Sequence, residues 1–343
     1  MNKHGFTIRA DGRLTTSLID SKTGKRIYFY GKTAREIKQK IFEYQEKQKL
    51  GELFTNVSDA WWEEAEPQLA YQSRNGYLQA KKRADLEFSD VYIKDIQPKD
   101  VTAYLKRLSE GYSSQKTIER YKLILSLIFK YAIELGEIQY NPCAVAKMPK
   151  GLDKAKRTSA SEQDEKRIKE AKNLWLFPYF ALYSGMRKGE ILALKWKDID
   201  FENDLIEVYK SVYHEGDKPK LKGTKTEAGT RIVPLLRPLK ERLLELTPGD
   251  PEHFIFSDDG TKPLTNRRYI TQYDHYKAAT GITCTAHQLR HSFATIAFEN
   301  GISPKVVQEI LGHKQLSTTM DIYTDFRKSH VKEITNKLNE LIK

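Results

Sequence analysis

Four side chains that could act on a phosphate lie close together near the end of this 343-residue sequence. His287, Arg290, His313 and Tyr323 all fall within residues 285–325. Imidazole and guanidinium groups can bind a phosphate, and a tyrosine hydroxyl can attack one. His287 stands at a predicted helix start, where free backbone N–H groups also favour an anion. The stretch therefore indicates phosphate chemistry.

The elements that must hold these side chains follow from the spacing of the apolar residues. Those between 289 and 297 recur at helical intervals, which predicts a helix with one face in the core. Gly301 is expected to end this helix, and a Ser-Pro pair begins a second one over 305–311. A Ser-Thr-Thr run then caps a last short segment that carries Tyr323.

The stretch contains HxLRH at 287–291, LGH at 311–313 and then Tyr323. This order and spacing resemble the signature of the tyrosine recombinases, the phage-integrase family. That family also has an arginine in a turn between two helices, and SGMRKGEILALKW supplies Arg187. It has a lysine in a β-hairpin, which GTKTEAGTRIVPL supplies as Lys225. Lys220 and Lys222 are rivals for this position, and the TKT context before TRIVPL favours Lys225.

The resemblance implies a role for each matching residue in covalent DNA cleavage. Tyr323 would be the nucleophile and would hold the cleaved phosphate as an ester. Arg187 and Arg290 would clamp two non-bridging oxygens through their forked guanidinium donors. Lys225 would protonate the departing 5′-oxygen. A positive clamp of this kind takes the place of a metal, so neither a metal nor another cofactor is expected.

The resemblance also assigns supporting roles around this set. His287 would act as general acid–base or hydrogen-bond the phosphate, and His313 would donate a further hydrogen bond. Glu190, one turn after the first arginine, would orient that arginine or His287. His287 and His291 have the spacing of a zinc-binding helix, but Gln288 replaces the glutamate of that motif and a neighbouring arginine would repel a metal.

The composition favours a polyanionic partner and the cysteine usage a reducing cytoplasm, and the resemblance implies a bacterial cell with nucleoid association during activity. The formal net charge is +12, the isoelectric point is near 9.3 and mean hydropathy is −0.64. The sequence lacks an apolar run of membrane-spanning length and the apolar core of a signal peptide. Cys143 and Cys284 stand far apart, which gives neither a disulfide framework nor a zinc site.

Residues 1–52 are expected to form a DNA-binding domain of three short strands followed by a helix over 33–49. Alternation places Phe6, Ile8, Leu14, Leu18, Ile27 and Phe29 on one face. Residues 1–50 hold 12 Lys and Arg against five Asp and Glu, so this basic segment is suited to an anionic partner such as DNA. The segment resembles the arm-binding domain of phage and conjugative-element integrases. Its candidate DNA contacts, on the other face or its edges, are Arg9, Arg13, Arg26 and Tyr28.

Residues 53–146 predict a bundle of four helices, over 57–65, 70–84, 99–108 and 115–135. By resemblance this is the core-binding, SAM-like domain. Residues 147–157 hold Pro, Gly and five positive charges, which favours a basic linker that crosses the phosphate backbone over the alternative of a plain surface linker. The candidate DNA contacts of the bundle are Arg74, Lys81, Lys82, Gln115, Lys116 and Lys122. Those of the linker are Lys147, Lys154, Lys156 and Arg157.

Residues 158–343 are expected to form a mixed α+β catalytic domain, so the whole fold is multidomain and mainly α with small β elements. Strands over 205–213 and 230–235 are predicted to be joined by a hairpin rich in lysine and glycine. Apolar residues at 331, 334, 338 and 341 predict a terminal helix, which covers the core or reaches a neighbouring protomer.

The sequence is therefore interpreted as a site-specific tyrosine recombinase of the integrase type. It would work as a homotetramer on double-stranded attachment sites, through a 3′-phosphotyrosyl intermediate and a Holliday junction. An excisionase and a host DNA-bending protein are the expected helpers. A type IB topoisomerase would share the chemistry without needing the arm module. A DNA-binding regulator that had lost catalysis would have no need of Lys225 together with Tyr323.

Overall fold

The computed structural model describes residues 6–19, 25–112, 114–153, 158–223, 230–246, 249–313, 315–317, 319–320 and 322–323. Several predicted features lie outside these ranges. They are Lys225, the terminal helix after residue 330 and the linker residues Lys154, Lys156 and Arg157. The chain divides into two compact units, residues 1–155 and 156–343.

The described residues of the first unit form a small sheet and five α-helices. Its elements are β1 (Thr7–Ile8), β2 (Leu14–Ile19), β3 (Arg26–Gly31), α1 (Ala34–Leu50), α2 (Phe54–Ala65), α3 (Tyr71–Glu87), α4 (Pro98–Gly111) and α5 (Gln115–Glu134). The three strands are antiparallel in the order β1-β2-β3. The predicted sheet, the helix that follows it and the four helices of the bundle are all confirmed.

The small sheet packs one face on α1 and leaves the other exposed. Phe6, Phe29 and Ile37 form its buried core, as the alternation predicts for the first two. Ile8 is an exception, because its short edge strand leaves it 57% exposed. On the opposite face Ser17 pairs with Tyr28, in register with β3.

The helical bundle is built around α5. Its apolar stripe at 118, 121, 125, 128, 129 and 132 is buried, as the helical period predicts. Phe54 of α2 packs against Phe129 with ring centroids 5.9 Å apart. Burying this stripe removes several large apolar side chains from water, at roughly 1.5–3 kcal/mol each.

The second unit mixes helices with three- and two-stranded sheets. Its elements are α6 (Glu162–Glu170), α7 (Leu176–Ser184), α8 (Lys188–Ile191), β4 (Ile199–Asp200), β5 (Leu205–Val208), β6 (Lys210–Glu215), β7 (Lys218–Gly223), β8 (Arg231–Pro234), α9 (Arg237–Glu245), α10 (Asn266–Thr280), α11 (Ala286–Glu299) and α12 (Pro304–Leu311). The strand orders are β4-β5-β8 and β6-β7. Helices α7 and α11 bury their apolar faces in this unit's cores.

The prediction of one strand over 205–213 is wrong in one respect, because the strand is interrupted at Tyr209. β5 pairs with β8, whereas β6 pairs with β7 as a separate hairpin. The Tyr209 hydroxyl donates to the buried carboxylate of Asp198 at 2.7 Å, and the Lys210 ammonium lies 2.8 Å from it. Satisfying this buried charge fixes the chain at the point where it leaves one sheet for the other.

Candidate phosphate site

Arg187 lies at the start of α8, where the turn 184–186 brings it into the unit. Its side chain is 46% exposed and donates from Nη1 to Glu190 Oε1 at 2.8 Å. Nη2 donates to the Gly312 carbonyl at 2.9 Å. A guanidinium has five N–H groups, so three remain for a ligand after these two bonds. The two anchors fix the direction in which those groups point.

Glu190 is buried and hydrogen-bonds to Arg187, and its role in orienting that arginine stays a prediction. Its carboxylate accepts four hydrogen bonds, two from Arg187 and two from Arg231. Burial alone would raise its pKa, but the hydrogen bonds and charges of Arg231 and Arg187 outweigh burial and lower the pKa to about 2. Glu190 therefore stays ionised and is a poor proton acceptor. Of the two partners predicted for Glu190, Arg187 and His287, the hydrogen bonds described here are to Arg187.

Arg290 is 3% exposed and links two separate segments through its guanidinium. Nη1 donates to the Gly185 carbonyl at 2.9 Å and Nη2 to the Leu311 carbonyl at 2.7 Å. Gly185 has a φ of +63° and lies so close to α11 that an added Cβ would sit 2.6 Å from the Phe293 ring. Glycine is therefore required at this position to place the carbonyl that aims Arg290.

Three guanidinium groups and one carboxylate share this part of the unit. Arg187, Arg231 and Arg290 carry three positive charges against one negative charge on Glu190, which leaves +2. Burial lowers the pKa of Arg290, and the neighbouring Arg187 and Arg231 lower it further. This repulsion is relieved when an anion binds, so the cluster has the electrostatics of a phosphate site.

Arg231 was missed by the sequence analysis, although it stands in the TRIVPL segment that favoured Lys225. Its side chain is 9% exposed and forms a two-pronged pair with Glu190. The hairpin before it places Lys220 opposite Tyr213 and Lys222 opposite Ser211. The assignment of Lys225 stays a prediction.

His313 and Tyr323 follow α12 in a segment anchored to α11. His313 Nδ1 lies 2.8 Å from the hydroxyl of the buried Thr319. Ile322 is buried against α11 and α12. The Tyr323 ring packs edge-on against Phe298 with centroids 5.1 Å apart. The half-buried ring is thus held by the same helix that carries Arg290.

His287 lies exposed in the first turn of α11, where the sequence places it. Its Nε2 is 3.1 Å from Nε2 of the buried His291, which is hydrogen-bonding distance. In this contact one ring donates an N–H and the other ring accepts it, so the accepting Nε2 carries no proton. His291 thereby fixes the orientation of the His287 ring.

Gly189 sets how closely α8 approaches β6. An added Cβ would lie 2.4 Å from the Val212 carbonyl oxygen and 2.6 Å from Ser211 Oγ. We expect Gly189→Ala to push α8 outward, moving Arg187 and Glu190, and to slow DNA cleavage about 100-fold, as a 1 Å misplacement can. Single-turnover cleavage kinetics check this result. Gly249→Ala, where an added Cβ would make only ordinary contact with Trp196 at 3.6 Å, is the matched control, and equal rates for the two variants would contradict the prediction.

The predicted DNA contacts of the first unit differ in their surroundings. Lys81 is a correction: it is 5% exposed and bonds to Asp59 and Asp85 at 2.6 and 2.7 Å. It pairs charges within the bundle, so it is withdrawn as a DNA contact. Exposed residues that stay predictions are Arg9, Arg13, Arg26, Tyr28, Arg74, Lys82, Lys116 and Lys147. Gln115 and Lys122 are half-buried and bond to Glu119 and the Ala146 carbonyl.

Comparison with known proteins places this site in a family. The model of the phage integrase family matches residues 159–330. A tyrosine recombinase XerC-like protein of Caldanaerobacter subterraneus subsp. tengcongensis is 28% identical over 96% of either chain. The ICEBs1 integrase of Bacillus subtilis is 29% identical, and the match covers 78% of each chain.

A solved structure supports the same placement at the level of the fold. A lambda integrase tetramer bound to a Holliday junction matches with a TM-score of 0.60 and 21% identity, over 91% of this chain and 96% of that one. No helix in the described part of our chain is long and apolar enough to span a membrane. The family model spans the arginines, the histidines and Tyr323 alike, and the chain belongs to the phage integrase family of tyrosine recombinases.

Proposed function

We propose that this tyrosine recombinase integrates and excises a mobile element at specific DNA sites. It cleaves each strand through a 3′-phosphotyrosyl intermediate and exchanges strands through a Holliday junction. The observation that carries the proposal is the +2 cluster of Arg187, Arg231, Arg290 and Glu190. Arg231, Arg290 and Glu190 are buried and Arg187 is half-exposed, so this excess of positive charge is partly buried and is costly unless an anion completes it.

The scissile phosphate completes this charge. Arg187 and Arg290 donate to its two non-bridging oxygens, since both keep N–H groups beyond those held by carbonyls. His287 and His313 donate further hydrogen bonds, and Lys225 gives a proton to the departing 5′-oxygen. The Tyr323 oxygen attacks, and its poor intrinsic nucleophilicity is offset by the surrounding positive charge.

The exposed face of the small sheet supports the role in a mobile element. Arg9 lies over the Tyr30 ring at 5.1 Å, and Tyr28 stacks beside Tyr30 with centroids 6.5 Å apart. A basic sheet face of this kind can enter a major groove. Residues 1–52 then bind arm sites, 53–146 bind the core site, and 147–157 connect them to the catalytic domain over 158–343.

Assembly on DNA follows the relatives. The lambda integrase is a tetramer on a Holliday junction, and the ICEBs1 protein is an integrase. We propose a homotetramer on paired attachment sites, with an excisionase and a host DNA-bending protein as helpers. The DNA contacts of this assembly include the exposed cations named above and Lys154, Lys156 and Arg157 of the linker.

A nicked duplex tests the reaction class. Binding sites are first selected from random duplexes, and the selected core site is then labelled and nicked so that cleavage releases a short fragment and traps the protein. We expect a covalent adduct on denaturing gels, formed equally well in excess EDTA. Tight binding without an adduct contradicts catalysis and supports a DNA-binding regulator. Relaxation of supercoiled DNA without site preference supports a topoisomerase.

A further inference from the structure

Arg231 is bound on three sides by the protein itself. Nη1 and Nη2 donate to the two oxygens of Glu190 at 3.0 and 2.7 Å, and Nε donates to the Ile310 carbonyl at 2.7 Å. Each nitrogen of the guanidinium thus has an acceptor within the unit. The parallel fork to a carboxylate is a geometry that lysine cannot reproduce. These contacts make Arg231 part of the scaffold around the phosphate site.

The end of α12 receives three arginines on three consecutive carbonyls. The Ile310 carbonyl accepts from Arg231, that of Leu311 from Arg290 and that of Gly312 from Arg187. The last carbonyls of a helix lack partners within the helix and carry its negative dipole end, so they attract cations. The helix end therefore spaces the three guanidinium groups and leads directly into His313.

Gly312 brings Arg231 unusually close to this turn. It has a φ of +67°, and an added Cβ would lie 3.0–3.1 Å from three atoms of the Arg231 side chain. The glycine accommodates the left-handed turn, and an added Cβ would push the Arg231 side chain back by a few tenths of an ångström. Arg231 consequently packs against the residue whose carbonyl holds Arg187.

We propose that Arg231 is a positioning residue for DNA cleavage, which couples strand β8 to Glu190 and to the end of α12. It does not touch the DNA. It holds the Glu190 carboxylate in place, and that carboxylate in turn orients the Arg187 guanidinium. Arg231 also holds the turn at the end of α12 that presents His313. This inference rests on the proposed function, because it assigns Arg231 a role in the same phosphate site.

The charge of Arg231 also keeps Glu190 ionised. The charged groups that face this carboxylate are Arg187 and Arg231, with Arg290 nearby. When Arg231 is replaced by a neutral residue, burial raises the pKa of Glu190 and fewer cations oppose that rise. Protonated Glu190 loses an acceptor for Arg187. The variant should therefore lose activity as the pH falls through the range in which Glu190 gains its proton.

The test compares Arg231→Gln and Arg231→Lys with wild type on the nicked duplex at saturating protein. We expect Arg231→Gln to slow adduct formation about 100-fold with the DNA dissociation constant within about twofold of wild type. Its rate relative to wild type should fall further as the pH is lowered from 8 to 5. Arg231→Lys keeps the charge without the fork, so its rate should be intermediate and its pH profile closer to wild type.

Controls separate this inference from the proposed function and from a folding defect. Arg237→Gln removes another arginine–glutamate pair, exposed at the start of α9, and should leave the rate unchanged. Combining Arg231→Gln with Glu190→Gln should cost much less than the product of the two single losses. If wild type forms no adduct, the proposed function itself is wrong. If wild type is active and either Arg231→Gln or Arg231→Lys has the wild-type rate and pH profile, the inference about Arg231 is wrong while the proposed function stands.

Discussion

Replacing Tyr323 with phenylalanine is expected to abolish the covalent adduct while leaving DNA binding intact. The variant lacks the oxygen that would join the phosphate, so the rate should fall at least about 1,000-fold, to the background of the assay. Phenylalanine keeps the ring that packs against Phe298 at 5.1 Å between centroids. Stability and affinity should therefore stay close to those of wild type.

The measurement is adduct formation over time on the nicked duplex, with binding measured separately by gel shift. Tyr183→Phe is a suitable control, because this half-buried tyrosine packs on Tyr179 of the same unit at 4.6 Å. It should form the adduct at the wild-type rate. An adduct that persists in Tyr323→Phe would show that another residue attacks.

Arg290→Ala should give the second largest loss, roughly 1,000-fold in the cleavage rate, as expected when a preorganised charged donor to the transition state is removed. The guanidinium also holds the Gly185 and Leu311 carbonyls together. Arg290→Lys should recover little of the rate, because one ammonium at the end of a flexible chain cannot reproduce both bonds and still face the phosphate.

Loss of fold must be separated from loss of chemistry in these variants. Each buried carbonyl left without a donor costs about 1–3 kcal/mol of unfolding free energy, so thermal unfolding is measured alongside cleavage. Arg167→Lys is the matched control, since Arg167 likewise donates to a backbone carbonyl, that of Gly281 at 2.6 Å, and is not among the proposed site residues. A folded Arg290→Lys variant that cleaves at the wild-type rate would contradict the clamp.

The helices that carry the site could be predicted because their signals are local. In α11, Thr285 caps the helix through the backbone N–H of Gln288, and Leu289 is fully buried, as the apolar period indicates. The bundle stripe on α5 follows the same rule. Periodicity and capping depend on neighbours within one or two turns, which the sequence states directly.

Other elements escaped prediction because their apolar signal is weak or their partners are distant. Helix α10 buries Tyr269, Tyr273 and Tyr276 at helical spacing, but these stand among polar residues. Its start and end carry clear signals, a Thr265 cap and a Gly281 in the left-handed conformation. Capping residues alone do not establish a helix when the apolar period between them is weak.

Partner choice among charged residues is the part that the sequence could not supply. Lys81 and Lys82 are adjacent, yet the first is buried between two carboxylates and the second is exposed. Arg231 and Glu190 are 41 residues apart and meet because β8 and α8 both pack near the end of α12. Such pairs form between residues that only the tertiary fold brings together. A local sequence pattern therefore shows where a charged residue stands, but not which residue it pairs with.

We propose that Tyr323 becomes covalently bound to DNA. The most direct measurement digests the trapped adduct with protease and nuclease and locates the nucleotide remnant by mass spectrometry. We predict a 3′-phosphonucleotide on the peptide that contains Tyr323, with fragment ions that place it on that side chain. A remnant on another tyrosine, on a serine, or attached through a 5′-phosphate would contradict the account.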